Sequence, residues 1–341
     1  MILITGGLGY IGSHICVELL NNNYNIIIVD NLSNSNIDVY NKIKLLTDKN
    51  PKLYIIDLLD FDELKKVFNK HIITSIIHCA GLKAVGESIN NPLNYYDTNI
   101  NSTINLLKLC SKYKVKQFIF SSSATVYGNN YYPVDEHSSI GSGITNPYGY
   151  TKLFIEQILN DYSKINDIKI ISLRYFNPVG CHSSGLIGEN PNGIPNNLMP
   201  YILKVCIKNN FNNELDDCYN ELKIFGNDYD TIDGTCIRDF IHVVDLANAH
   251  LKALEYFNNM DINYDIFNIG TGKGTSVLEL IETFKDINKV VIPYRIIDRR
   301  EGDLECVYCR CDKANKLLNW YSKKSLEDIC IDSLTFCKNN I

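Results

Sequence analysis

The chain has 341 residues, 45% of them hydrophobic and 21% charged, with a formal net charge of -6. That is enough apolar material for a large core and enough length for two domains. The acidic balance argues against a nucleic-acid partner, and no run approaches the ~20 apolar residues needed to cross a bilayer.

The first apolar run, Ile2-Leu3-Ile4, ends in Thr5 and a glycine cluster at Gly6, Gly7, Gly9 and Gly12. Ile11, Ile15 and Leu19 then recur at helical spacing, so the segment reads as strand, tight turn, helix. Such glycines let the backbone approach a pyrophosphate, and the helix start offers free N–H groups and a positive dipole end. A second run, Ile26 to Val29, ends in Asp30, roughly twenty residues past the glycines, where an acid accepts a hydrogen bond from a ribose 2′-hydroxyl. An acid there repels a 2′-phosphate, so NAD is expected rather than NADP. The glycine spacing is G-x-x-G-x-x-G, a looser form of the usual fingerprint, and the flanking strand, helix and acid give it its weight. With a strand predicted from Ile2 there is no room for a secretory signal, so a cytoplasmic location and reduced thiols are expected for the twelve cysteines.

Further strands are predicted at Leu53–Ile56, Ser75–His78, Gln117–Ser121 and Ile168–Leu173, with helical patterns between them. This rhythm predicts an α/β fold with a doubly wound parallel (Rossmann) sheet and a ligand at the strands' carboxyl ends. Asp57, Cys79, Ala80, Gly81 and Ser123 all fall at such ends. From Asn177 onward the pattern breaks into glycine-, proline- and asparagine-rich stretches such as 191–195. The expected division is a cofactor domain over 1–178 and a smaller α/β domain over 179–341. Residues 236–270 are expected to return to the large sheet through strands at Arg238–Ile241 and Ile266–Ile269. Ser276 with Glu279 predicts a capping box, and the asparagine-rich stretch 208–220 a solvated surface insertion. Cys306, Cys309 and Cys311 lack a second pair or a histidine at zinc spacing, so no metal site is expected. Cys309 and Cys311 are expected to share one strand face.

Tyr148 and Lys152 stand four residues apart, one helical face, downstream of Ser121-Ser122-Ser123. A phenol titrates near 10, and an adjacent ammonium favours its ionised form, so the pair predicts a general base with a lowered pKa. Tyr-x-x-x-Lys occurs often by chance. Its place after a strand-end serine run in a dinucleotide-binding chain is what points to catalysis.

Several ordered motifs carry a resemblance over nearly the whole chain. They are the glycine loop, Asp30 to Ser35, His78 to Ser88, Ser121 to Gly128, Pro147 to Lys152, Leu173 to Pro178, Gly193 to Pro200, Phe225 to Tyr229 and Arg300 to Asp303. Together they resemble the UDP-glucose 4-epimerase family, extended members of the short-chain dehydrogenase/reductase superfamily. The resemblance implies NAD held by Gly6, Gly9, Tyr10, Ile11, Gly12, Asp30, Asn31, Asn34, Ser35, Asp57, Leu58, Cys79, Ala80, Gly81, Lys83, Asn99, Tyr148, Lys152 and Tyr175. It also implies a UDP-hexose substrate met by Ser123, Tyr148, Asn177, Asn197, Leu198, Phe225, Arg238, Arg300, Asp303 and Val307. The implied catalytic set is Ser123, Tyr148 and Lys152: hydride leaves C4 of the sugar, the keto sugar turns over, and hydride returns to the opposite face. Ala124 stands where related dehydratases carry an acid beside the active-site hydroxyl, which disfavours dehydration. Val307, a small residue at a position whose size is thought to gate N-acetylated sugars, implies room for UDP-GlcNAc and UDP-GalNAc. The family is usually a homodimer, and Ile100, Ile104, Leu107 and Leu159 suit either a dimer face or packing on the sheet. The rival readings are a catalytically idle NAD-binding scaffold and a UDP-sugar dehydratase or reductase.

Overall fold

A computed structural model describes residues 1–191, 193, 195, 197–211, 215–300 and 302–340. The amino-terminal half alternates β1 (Ile2–Thr5), α1 (Tyr10–Asn21), β2 (Ile26–Asp30), α2 (Asp38–Thr47), β3 (Lys52–Ile55), α3 (Phe61–Lys70) and β4 (Ser75–His78). There follow α4 (Val85–Asn90), α5 (Pro92–Tyr113), β5 (Gln117–Ser123), α6 (Pro147–Ile165), β6 (Lys169–Tyr175) and β7 (Asn177–Val179). The remainder holds α7 (Leu198–Asn210), β8 (Leu222–Phe225), β9 (Ile237–Arg238), β10 (Phe240–His242), α8 (Val243–Tyr256) and β11 (Tyr264–Ile269). Last come β12 (Thr275–Ser276), α9 (Val277–Asn288), β13 (Tyr294–Ile297), β14 (Cys306–Val307) and α10 (Leu326–Lys338).

Seven parallel strands make the main sheet in the order β11-β6-β5-β4-β1-β2-β3. β1, β2 and β4 are buried along their whole length, because helices cover both faces, and their near-continuous apolar sequence is the signature of that burial. One apolar layer joins α1 and α8 to the sheet and the other joins α3, α5 and α6. The strand order reverses between β1 and β4, where a doubly wound sheet opens a crevice.

A separate core gathers Met199, Ile202 and Val205 of α7, Leu280 and Phe284 of α9, and Ile329 and Leu334 of α10 around β8 and β13. Here the expected return to the large sheet needs correction. β11 joins it, but β9 and β10 do not: β10 pairs with β7, and β9 sits between β12 and β14. The stretch Arg238–Ile241 is too short and too interrupted to extend a seven-strand sheet. Asp239 breaks it by turning its backbone two ways, donating to Val307 O at 3.0 Å and accepting from Asn177 N at 2.9 Å.

The capping box at Ser276 and Glu279 forms as expected. Part of the asparagine-rich stretch, 212–214, lies outside the described residues. Its flanks are less solvated than expected: Lys208 to Asn210 complete α7, and Tyr219 is buried against Tyr201. The Cys309 and Cys311 sulfurs do come together, 3.3 Å apart, but beyond the end of β14 at Val307 and not on a strand face. Among the described residues no group of three or more His, Cys, Asp or Glu is arranged to hold a metal ion, and no helix is long and apolar enough to cross a membrane.

Asp239 is wholly buried and accepts from Thr271 N and Thr271 Oγ1, each at 2.7 Å, and from Gly272 N at 3.0 Å. Its carboxylate therefore ties the β11–β12 loop to the small sheet. Asp239→Ala takes the acceptor from these partly buried donors, at a cost of about 1–3 kcal/mol. The expected result is a lower urea midpoint with an unchanged slope.

Candidate functional site

A cleft of about 1770 Å³ opens over the carboxyl ends of the main sheet, between it and the smaller unit. One drug-sized molecule takes ~300–1,000 Å³, so there is room for two ligands side by side.

On the sheet side the cleft floor is the glycine loop. Gly6 has φ +65, and a Cβ there would lie 2.8 Å from Ala80 Cα. A Cβ on Gly12 would lie 2.1 Å from Gly6 O. Both positions therefore admit no side chain, and the main chain itself faces the cleft. Gly9 caps α1 without a side-chain bond, which leaves first-turn N–H groups of Tyr10, Ile11 and Gly12 for an anionic ligand. Asp30 is buried and accepts from Leu8 N at 2.9 Å, Leu32 N at 3.0 Å and Ser35 Oγ at 2.7 Å. A carboxylate offers about four lone-pair sites, so Asp30 can brace the loop and still accept from a ribose hydroxyl. Asn31 donates to Asp57 Oδ2 at 2.9 Å, closing the adenine end. These features form a cradle that NAD fits. Asn34, Leu58, Cys79, Gly81, Lys83 and Tyr175 also line the cleft, as expected.

Asn99 does not. It is buried behind the wall, where its Oδ1 accepts from Leu82 N at 2.8 Å and its Nδ2 donates to Leu82 O at 3.0 Å and Thr151 Oγ1 at 3.1 Å. Asn99 thus fastens the loop after Gly81 to α6.

At the inner end, β5 meets the start of α6. Asn146 caps that helix by accepting from Gly149 N at 2.9 Å, and Pro147 presets its first turn. Tyr148 is thereby delivered half-buried, beside the Ser123 hydroxyl. Ser123 lines the cleft, with Thr125 Oγ1 donating to it at 3.0 Å. Tyr148 and Lys152 are not themselves on the cleft wall; they stand directly behind Ser121 and Ser123, which are. Lys152 is buried, donates to Ser121 O at 2.7 Å, and lies 4.8 Å from the Phe120 ring and 5.7 Å from the Tyr148 ring.

The expected lowering of the Tyr148 pKa is not a property of the chain's own residues. Burial pushes the phenol up, and the Ser123 hydroxyl opposes this only in part. Burial likewise pushes Lys152 down to about 8, with Cys79 and Glu156 opposing it. Helix spacing brings the two groups together, but desolvation penalises the charged form of both. Tyr150, inside the same motif, packs against Phe154 and is not a cleft residue.

Across the cleft stand Asn177, Asn197, Arg238, Arg300, Asp303 and Val307. Asp303 takes Arg300 bidentately at 2.6 and 3.1 Å and lies 3.8 Å from Arg238. One carboxylate therefore aims two guanidinium groups at the same space, a geometry suited to a diphosphate. Leu198 and Phe225 do not line the cleft. Leu198 packs on the smaller core, and Phe225 is exposed at the strand edge with the Arg300 guanidinium 5.5 Å from its ring centre. Glu189 was not foreseen. It pairs with Lys83 at 2.6 Å and accepts from Asn197 Nδ2 at 2.7 Å, bridging the two sides of the mouth. An acid in a glycine- and proline-rich loop carries no periodic signal, so only its neighbours in space disclose it.

The sheet order, glycine cradle and strand-end serine define a nucleotide-dependent enzyme of the extended Rossmann type. The family model "NAD dependent epimerase/dehydratase family" matches residues 2–270, and the chain belongs to that family. The UDP-glucose 4-epimerase of Bacillus subtilis is 48% identical, over 100% of this chain and 97% of that protein. The Bifidobacterium longum UDP-glucose 4-epimerase, solved with NAD+ and UDP, superposes with a TM-score of 0.92 at 45% identity, covering 99% of this chain and 98% of that one. A UDP-Glc/GlcNAc 4-epimerase of Campylobacter jejuni gives a TM-score of 0.82 at 36% identity, covering 99% of both chains.

Gly12→Ala puts a methyl group into the Gly6 carbonyl. The NAD released on denaturing the purified variant is expected to fall more than about tenfold, the equivalent of roughly 1.4 kcal/mol in binding, with far-ultraviolet circular dichroism unchanged.

Proposed function

We propose that this chain interconverts UDP-glucose and UDP-galactose by oxidising and re-reducing C4 of the sugar. The observation that carries this reading is the placement of Ser123 at the inner end of one cleft, with Tyr148 beside its hydroxyl, between the glycine cradle and the Asp303-ordered arginines. Bound NAD would supply the hydride acceptor and donor, and its cationic nicotinamide would favour the phenolate that burial alone disfavours. Tyr148 Oη takes the proton of the sugar 4-hydroxyl as hydride leaves C4. Ser123 Oγ, beside the Tyr148 phenol, holds the same oxygen and passes the proton. Lys152 keeps a positive charge behind the phenol, and the ammonium donors not spent on the Ser121 carbonyl would serve the cofactor ribose. Arg238 and Arg300 hold the diphosphate while the keto sugar turns its other face to the ring. The Ser123-Ala124-Thr125 floor has no acid to expel water, which favours epimerisation over dehydration.

Val307 lines the cleft and pairs with Arg238 in the small sheet. Its short side chain takes up little of the cleft there, which supports turnover of the N-acetylated pair as well. The family resemblance further supports a cytoplasmic homodimer. Leu159 is spent in the core, while an apolar groove lined by Ile104, Leu107, Lys108, Ile158 and Tyr162 lies on α5 and α6.

Purified protein is expected to convert UDP-galactose to UDP-glucose in a coupled assay without added NAD; stoichiometric consumption of NAD or a stable keto sugar would sink the reading. Tyr148→Phe should retain NAD and lose about 10²–10⁴-fold in kcat. Val307→Tyr should cut kcat/KM for UDP-GlcNAc by about tenfold or more, since overfilled pockets reject added bulk, and spare UDP-glucose; equal effects on both sugars would remove Val307 from selectivity.

A further inference from the structure

We propose that Glu156 is a positioning residue for the reaction: gripped by Arg174 and Ser122, it sets where α6 lies against β5 and so where Lys152 and Tyr148 stand. This rests on the reading of Tyr148 and Lys152 given above.

Tyr148, Lys152 and Glu156 are spaced i, i+4, i+8, one stripe of α6. Each meets a different member of the serine run. Tyr148 lies beside Ser123 Oγ, Lys152 donates to Ser121 O at 2.7 Å, and Glu156 Oε1 accepts from Ser122 Oγ at 2.5 Å. The register of the sheet places Ser122 opposite Arg174, with both side chains on the α6 face. Arg174 completes the clasp with Nε to Oε1 at 3.0 Å and Nη2 to Oε2 at 2.7 Å. Two strands and one helix are thus locked at a single carboxylate, one helical turn beyond Lys152.

The pair is almost completely buried, with side-chain exposures of 1% and 4%. Desolvating two such charges repays little stability, and apolar replacements are often as good or better. What the ion pair adds is a fixed register: a helix shifted by one residue would break all three serine contacts together. The groups that face Lys152 from its surroundings are Tyr148 and Glu156 on its own helix, His78 at the end of β4 and Cys79 just after it, and the Phe120 ring and Ser121 carbonyl from β5. Burial holds His78 neutral, with its pKa pushed down to about 3, and pushes the Cys79 thiol up to about 11. Glu156 therefore supplies the negative charge that opposes desolvation of the Lys152 ammonium.

Glu156→Gln keeps the shape and an acceptor for Ser122 while removing the charge. Its kcat is expected to fall about 10- to 100-fold, as misplacement of a reacting group by a fraction of an ångström does, with KM for UDP-galactose within about twofold. Because loss of the charge disfavours the ammonium, the alkaline limb of kcat should move to lower pH. The double variant Glu156→Leu with Arg174→Met removes both charges and should fold even where Glu156→Gln does not; the same loss of kcat is expected, with a smaller shift of the limb because the opposing Arg174 charge goes too. A wild-type kcat and pH profile in a folded variant of either kind would overturn the proposal. Tyr148→Phe measured in parallel separates the two levels. If it is inactive while the Glu156 variants behave as wild type, only the positioning role falls. If it is fully active, the catalytic assignment falls and the positioning role with it.

Discussion

An ammonium group held almost out of water governs the layout of this molecule. Lys152 can be buried only where something pays its desolvation, and what is offered is the Ser121 carbonyl at the end of a central strand and the face of Phe120. That requirement fixes α6 in depth and rotation against β5. It places the first turn of the helix, and with it Tyr148, at the rim of the sheet where the strand-end hydroxyls emerge. The cap at Asn146 then secures the turn itself. A charge retained at such cost, with its pKa pushed down to about 8, marks the place where chemistry constrains the fold more than stability does.

The cofactor side obeys a different constraint, the exclusion of side chains. Gly6 and Gly12 touch backbone so closely that the loop has a single acceptable course, and Asp30 braces that course through Leu8 and the Leu32–Ser35 turn. Glu189 then links the glycine-loop wall at Lys83 to the facing wall at Asn197. The cleft is thus one continuous site whose halves are built by different means: one by close backbone packing, the other by charged side chains on short strands.

The legibility of these halves differs for the same reason. Buried parallel strands are long apolar runs with sharp ends, so Ser75–His78 and the strands around it are readable within a residue or two, and the glycine loop follows from its neighbours. Short two- and three-residue strands such as β9, β10 and β14 have no period to read, and their pairing depends on where Asp239 and Asn177 meet in space. The Tyr148–Lys152 stripe is plain from spacing. The sign of the phenol's shift is not, because spacing reports proximity and says nothing of desolvation. Asn99 and Leu198 look like ligand contacts by motif, yet the packing turns both away from the cleft, one to fasten a loop and the other to fill a core.

Asp303 has a kinetic side. With Arg300 and Arg238 already drawn to one carboxylate, a diphosphate bound as proposed would meet ordered side chains and forfeit little rotamer freedom, but it would have to displace a resident anion to be held. When the nucleotide departs, that same carboxylate is at hand to reclaim the guanidinium groups. Pairing of this kind trades tightness of binding for ease of product release, which favours a catalyst whose two products are nearly the same molecule.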